Sequence, residues 1–189
     1  SRDLDYKRFF KVANKTRAYL MCDMAHFSGF VAAKEFKSPF EYCDIVTTTT
    51  HKTLRGPRSG IIFYRKHLQP LINFGVFPAL QGGPYQNQIA AIATQMLYIQ
   101  TKEYKSYIKQ TRKNARVLAS ELCGYGYTIC TNGTDNHIVI VNLRPLGLSG
   151  DLIEQFCNHV HLYVNKNTII GDTSPLNPSG IRLGSSYMT

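Results

Sequence analysis

The chain has 189 residues, with 22 Lys and Arg against 12 Asp and Glu, a formal net charge of +10 and 43% apolar residues. That suffices for one domain or parts of two, and a self-contained fold of this size buries roughly 70% of its unfolded surface. Ordinary apolar content, with 12 Tyr and 10 Phe spread along the chain, excludes a disordered tract, and no apolar run approaches the roughly 18 residues that cross a bilayer.

The chain opens on Ser1 and stops at Thr189 directly after a strand-like run, so a piece of a longer protein is expected. The five cysteines, Cys22, Cys43, Cys123, Cys130 and Cys157, are odd in number and form no Cys-x-x-Cys pair, which reads as reduced thiols. His159 and His161 sit two apart, as on one strand face, but no carboxylate or Cys completes a ligand set, and no metal site is expected.

In chain order, Asp3 is placed to cap a helix whose apolar positions Tyr6, Phe9, Phe10 and Val12 lie near helical spacing and which ends around Lys15. Residues 18–22 (AYLMC) form an apolar run followed at once by Asp23, the pattern of a buried strand ending on an acid. Residues 40–50 (FEYCDIVTTTT) supply a β-branched run ending in His51 and Lys52, and residues 60–64 (GIIFY) a third strand after a basic Gly/Pro turn. This alternation is the grammar of an α/β sheet.

Past Pro84 the grammar changes. Residues 88–101 and 104–122 read as helices, and in the second Tyr104, Ile108, Thr111, Ala115, Leu118 and Leu122 make one apolar stripe. Gly124 and Gly126 end it. Residues 127–131 and 137–143 read as strands around the turn Asn132-Gly133, followed by a helix over 151–159, a strand over 161–165, a Pro/Gly/Asn loop and a strand over 180–184. Residues 104–189 thus read as a small α+β domain entered through a long helix, and residues 1–103 as part of a larger one.

The densest constellation is TTTTHKTLRGPRSG at 47–60. Four successive threonines before a His-Lys pair are too polar for a strand interior, so the strand is expected to end where a site begins. Lys52, crowded by the cations of His51, Arg55 and Arg58, is a candidate amine nucleophile toward carbonyls. A solvated basic turn or a phosphate patch accounts for the same residues, whereas the spacing excludes a Walker loop. Asp23 is either a carboxylate for a protonated ring nitrogen or a helix N-cap, and His26 either lies against a ring or is structural. Gly82-Gly83-Pro84 reads as an anion-binding turn before a helix or as plain turn geometry. Arg182, in SGIRLG, is either a bidentate carboxylate clamp or half of a structural ion pair.

Together DMAH at 23–26, TTTTHKTLRGPRSG at 47–60, FPALQGGP at 77–84, TDNHIVIVNLR at 134–144, VNKNT at 164–168 and SGIRLG at 179–184 resemble serine hydroxymethyltransferase, in the family's order and spacing over essentially the whole chain. The resemblance implies the α/β fold type I of pyridoxal-phosphate transferases, aspartate-aminotransferase-like. Residues 1–103 would be the C-terminal portion of the large cofactor domain and residues 104–189 the N-terminal portion of the small one. It implies pyridoxal 5'-phosphate as cofactor, tetrahydrofolate as cosubstrate and serine–glycine interconversion, in a homodimer or homotetramer with no nucleic acid or membrane partner. The compartment would be cytoplasmic or mitochondrial.

By the same resemblance Lys52 would carry the cofactor as a Schiff base, Asp23 would pair with the pyridinium nitrogen and His26 would contact the phenolic oxygen side. Thr49 and His51 would shape the site and Arg58 would support it. Gly83 would offer its N–H to the cofactor phosphate of a neighbouring subunit, Arg182 would hold the substrate carboxylate, and Asn167 would lie near the folate. The chain departs from the family at Asn87, where a histidine is common, and at Ser185-Ser186, where Thr-Pro is usual. Counterparts of the family's amino-terminal half are absent, so the 189-residue piece alone is expected to be inactive and prone to aggregate through unpaired strand edges. Alternative readings are a basic nucleic-acid-binding module using segments such as TRKNAR at 111–116, an inactive homologue, or another pyridoxal-phosphate aldolase such as a threonine aldolase.

Overall fold

The computed structural model describes residues 1–189. The chain divides into two compact units, Leu4–Ile108 and a second formed by Ser1–Asp3 with Lys109–Thr189.

The Leu4–Ile108 unit opens with helix α1 (Tyr6–Thr16) and strand β1 (Met21–Asp23), followed by α2 (Ser28–Ala32), β2 (Ile45–Thr49) and β3 (Gly60–Tyr64). Helices α3 (Gln69–Phe74) and α4 (Gln86–Tyr98) precede the long α5 (Lys102–Gly124). The sheet order is β1-β2-β3, with β1 parallel and β3 antiparallel to β2. Tyr6, Cys22, Met24, Cys43 and Val46 form one buried cluster. Phe30, Ala33, Phe36, Tyr104 and Ile108 form another.

Asp5, not Asp3, caps α1, its Oδ1 accepting from Arg8 N at 3.1 Å, while the Asp3 N–H goes to Asp135 Oδ2. The run at 18–22 is not a buried strand: β1 begins at Met21, which is 57% exposed, and only Cys22 of its three residues is buried. The Asp44 carboxylate takes the Leu20 N–H at 2.9 Å, so the preceding backbone is held by a side chain before the ladder starts. Residues 40–43 are a turn, because the Pro39 carbonyl accepts from both Tyr42 N and Cys43 N, and β2 is confined to Ile45–Thr49.

In the second unit, strands β4 (Thr128–Ile129), β5 (Ile138–Asn142), β6 (Asn165–Asn167) and β7 (Gly180–Gly184) make an antiparallel sheet of order β4-β5-β7-β6, with helix α6 (Gly150–His159) between β5 and β6 in sequence. Its core is Ala115, Ala119, Ile129, Val139, Val141, Leu143, Val164 and Ile181. The stripe read along α5 is real, with Tyr104, Ile108, Thr111 and Ala115 fully buried.

The strand expected over 161–165 lies instead at Asn165–Asn167. His159 is the last residue of α6, and the chain then caps that helix: His161 N donates to Asn158 O, Leu162 N to Cys157 O, and His161 itself is left-handed at φ 59°. His159 and His161 therefore share no strand face. The strand read over 127–131 shortens to Thr128–Ile129, since Thr131 and Asn132 already adopt positive φ ahead of Gly133. No helix of the chain is long and apolar enough to cross a membrane.

Candidate active site

β1 and β2 run parallel, so their carboxyl ends share one edge of the sheet, where such sheets present ligand-binding groups. Asp23 closes β1 and faces Thr47 in register. Thr47 Oγ1 donates to Asp23 Oδ2 at 3.0 Å and Ala25 N donates to Oδ1 at 2.8 Å. Each carboxylate oxygen is oriented by one donor, while the residue stays exposed. Asp23 does not cap α2, which starts after Phe27.

Two residues further along β2, the Thr49 hydroxyl accepts from Lys52 Nζ at 3.1 Å and reaches the Ala25 carbonyl at 3.5 Å. The strand ends at Thr49, directly before His51 and Lys52, as expected of a strand that stops where the candidate site begins, although three of the threonines lie within it. Thr47, Thr48 and Thr49 belong to β2, and the buried Thr48 and Thr50 spend their hydroxyls on main-chain carbonyls: Thr48 on Thr49, Thr50 on Pro57 and Ser59. The loop that follows closes on itself through Gly56 N to Thr50 O at 2.8 Å and Thr50 N to Ser59 O at 3.0 Å.

His51 is half-buried, with Nδ1 buried and without a hydrogen-bond partner. Burial first, then the cations of Arg58 and Lys52, pull its pKa down, so the ring is held neutral. The Arg55 guanidinium carbon lies over the Tyr107 ring, 4.4 Å from its centroid. Arg58 is exposed. The His26 carbonyl accepts from Thr53 Oγ1 at 3.0 Å, and the same hydroxyl accepts from Gly29 N. Asp23, His26, Thr49, His51 and Lys52 thus gather at one sheet edge. Gly82 and Gly83 lie in an exposed irregular segment before α4, where an added Cβ meets nothing within 4 Å.

Two other predicted residues lie in the second unit. Arg182 stands on β7, between Ile140 of β5 and Asn165 of β6. The cations that pair nearby are others, Arg144 with Asp172 at 2.8 Å and Lys166 with Asp151 at 2.6 Å, so the structural ion pair weighed for Arg182 does not form. Asn167 sits opposite Gly180, and its Nδ2 donates to Thr168 O at 2.6 Å. A Cβ at Gly180 would lie 2.6 Å from Ile169 Cγ2 and 2.8 Å from the Asn167 carbonyl, so glycine is what lets β6 and β7 pair this closely.

The residues that hold these groups carry little sequence signal of their own. Thr47, Thr53, Gln95 and Tyr104 act on backbone or carboxylate partners far away in sequence, and only the density of threonines hinted at the first two. Asp172 is another: it accepts from Ser179 N, Ser179 Oγ, Ile169 N and Arg144 Nη2 at 2.7–2.9 Å, tying the segment between Asn167 and Gly180. Those donors, the Ser179 N–H foremost, hold its carboxyl well below the usual range. The departure at Ser185 is absorbed structurally, since its buried hydroxyl donates to the Thr111 carbonyl at 2.8 Å.

Within the Leu4–Ile108 unit a strand-end amine, an oriented carboxylate on the neighbouring strand and a neutral imidazole with an open ring nitrogen make a donor set able to engage a carbonyl at the amine, while Arg182, unpaired with any carboxylate, stands in the other unit. That donor set fits an aldehyde cofactor with a basic ring nitrogen. The whole chain, residues 1–189, matches the family model described as serine hydroxymethyltransferase. It is 51% identical to serine hydroxymethyltransferase 4 of Arabidopsis thaliana and 53% identical to the serine hydroxymethyltransferase of Bombyx mori, with all of this chain covered and 43% and 44% of those proteins. The Caenorhabditis elegans serine hydroxymethyltransferase is 48% identical, with 40% of its length covered. The chain belongs to the serine hydroxymethyltransferase family, a family of pyridoxal-phosphate fold type I with which its two-sheet α/β structure agrees, and it spans less than half the length of these relatives.

Proposed function

We propose that this chain is the lysine-bearing part of a pyridoxal-phosphate-dependent glycine hydroxymethyltransferase, which interconverts serine and glycine and passes the one-carbon unit to tetrahydrofolate. The observation that carries the reading is the pairing of Lys52 Nζ with Thr49 on the same sheet edge where Thr47 orients Asp23. When bound, pyridoxal phosphate supplies an electron sink for the bond-breaking step at the substrate's α-carbon. Lys52 holds the cofactor aldehyde, and Thr49 orients the amine. Asp23, aligned by Thr47 and Ala25, keeps the ring nitrogen protonated. His26 stands on the phenolic side, and His51, neutral, offers an open nitrogen. Arg58 adds positive charge. Arg182 clamps the substrate carboxylate with its planar fork, and Asn167 neighbours the folate.

In this reading residues 1–103 are the C-terminal portion of the large cofactor domain and residues 104–189 the N-terminal portion of the small one. Gly83 offers its N–H to the cofactor phosphate of a second subunit in a homodimer or homotetramer. The exposed Leu71, Phe74, Phe77, Leu80 and Tyr85 around it support a partner there. The enzyme works in the cytoplasm or the mitochondrion. The test is conversion of serine to glycine by the full-length protein loaded with pyridoxal phosphate, dependent on tetrahydrofolate. A protein that binds the cofactor yet forms no glycine in the presence of both substrates contradicts the reading.

A further inference from the structure

The three residues that follow Lys52 are each gripped by a different helical side chain. The Thr53 carbonyl accepts from Tyr104 Oη at 2.8 Å, the Leu54 carbonyl accepts from Gln95 Nε2 at 2.7 Å, and the Arg55 guanidinium lies over the Tyr107 ring. Thr53 and Leu54 are 1% and 5% exposed and Tyr104 is fully buried, so the two carbonyl contacts are sheltered from water, whereas Arg55 is exposed. Arg55 itself adopts φ 59°, a left-handed conformation uncommon for such a residue, and its N–H closes back on the Lys52 carbonyl at 2.9 Å. Gly29 completes the fit: a Cβ there would fall 2.5 Å from Tyr104 Oη and 2.7 Å from the Thr53 carbonyl.

We propose that Tyr104 and Gln95 are positioning residues for the Lys52 amine, holding the carbonyls of Thr53 and Leu54 so that Nζ stays on Thr49. The inference rests on the reading of Lys52 as the cofactor-bearing residue. Neither side chain touches the reacting atoms. Each acts through the backbone immediately after Lys52, where a small tilt of a peptide plane is levered along the whole lysine side chain. Buried, the Tyr104 phenol is held well above its usual titration range, so it remains an O–H donor at any working pH. A lysine that must meet a carbonyl in a narrow range of approach gains rate from such preorganisation, because a misplacement of about 1 Å can cost on the order of a hundredfold.

The test uses the full-length protein with two variants, Tyr104→Phe and Gln95→Met, and Tyr6→Phe as a comparison that removes another buried hydroxyl of the same unit. In the cofactor-free protein, acetylation of Lys52 by acetic anhydride, measured by peptide mass spectrometry against exposed lysines, is expected to quicken at least about threefold in both variants and not in Tyr6→Phe. In the loaded enzyme kcat falls about tenfold while KM for serine stays within about twofold. If Tyr104→Phe fails to fold, Gln95→Met carries the same expectation. Unchanged Lys52 acetylation and kcat, with only a lower melting temperature, would make both residues plain braces and overturn the proposal. Altered acetylation in a protein whose Lys52 never takes the cofactor would leave the positioning intact and sink the functional reading instead.

Discussion

Thr47 Oγ1 donates a 3.0 Å hydrogen bond to Asp23 Oδ2 across the parallel strand pair in which the two residues are register partners. The register fixes the hydroxyl beside the carboxylate without recourse to a flexible side chain. Replacing Thr47 with Val keeps the β-branched shape and removes the donor. Loss of a hydrogen bond to a charged group costs about 1.5–3 kcal/mol, so cofactor affinity is expected to fall by about 10- to 100-fold, read by equilibrium dialysis of pyridoxal phosphate from the full-length protein. An unchanged dissociation constant contradicts the role given to Asp23.

Arg182 stands on a central strand with its guanidinium uncommitted to any carboxylate of the chain. Arg182→Lys keeps the charge and removes the fork, so KM for serine is expected to rise about 10- to 100-fold in steady-state kinetics. Equal performance by Lys shows that bidentate geometry is irrelevant there.

Cys22 and Cys43 share a buried cluster beside Tyr6, and the Cys43 thiol is pushed up to about 11, by burial first and then by Cys22. Cys123 is exposed. At pH 8 iodoacetamide is expected to modify Cys123 quickly and leave Cys22 and Cys43 unlabelled until the protein unfolds, as followed by peptide mapping. Labelling of Cys43 as fast as Cys123 contradicts the packing of β1 against β2.

The Asp172 carboxyl titrates below its ordinary range when folded and near about 3.9 when unfolded. The unfolded chain then binds the proton more readily, so Asp172 contributes stability above about pH 4 and loses it as the pH falls further. Asp172→Asn is expected to lower the melting temperature at neutral pH and to flatten its fall below about pH 4. A variant whose acid limb parallels the parent's shows that another carboxylate governs that limb.

Much of the site was legible because it is written in residue types close together in sequence. Asp23 follows an apolar run, and Thr49, His51 and Lys52 lie at the end of a β-branched one; a polar or charged residue after such a run signals a strand end. The stripe on α5 was equally plain, since four of its members are buried at helical spacing. What stayed hidden rests on backbone partners. Tyr104 meets a carbonyl 51 residues away, and no side-chain pattern announces that. The position of β6 was missed because His161 takes a left-handed turn that any sequence of ordinary residues conceals. The apolar run at 18–22 does not reveal how short β1 is, because the Leu20 N–H goes to the Asp44 side chain rather than to a ladder bond.

The sheet edges also bear on behaviour in solution. Met21 on β1 and Ile62 and Phe63 on β3 are 57%, 41% and 40% exposed. The 189-residue chain by itself is expected to self-associate, as read by light scattering after size exclusion. A stable monodisperse monomer contradicts this.

Everything proposed for the site turns on Lys52 carrying the cofactor. Borohydride reduction of the full-length protein with pyridoxal phosphate, followed by peptide mapping, reads it directly. The pyridoxyl label is expected on Lys52 and is expected to be lost in Lys52→Gln. A label on any other lysine, or none at all, contradicts it.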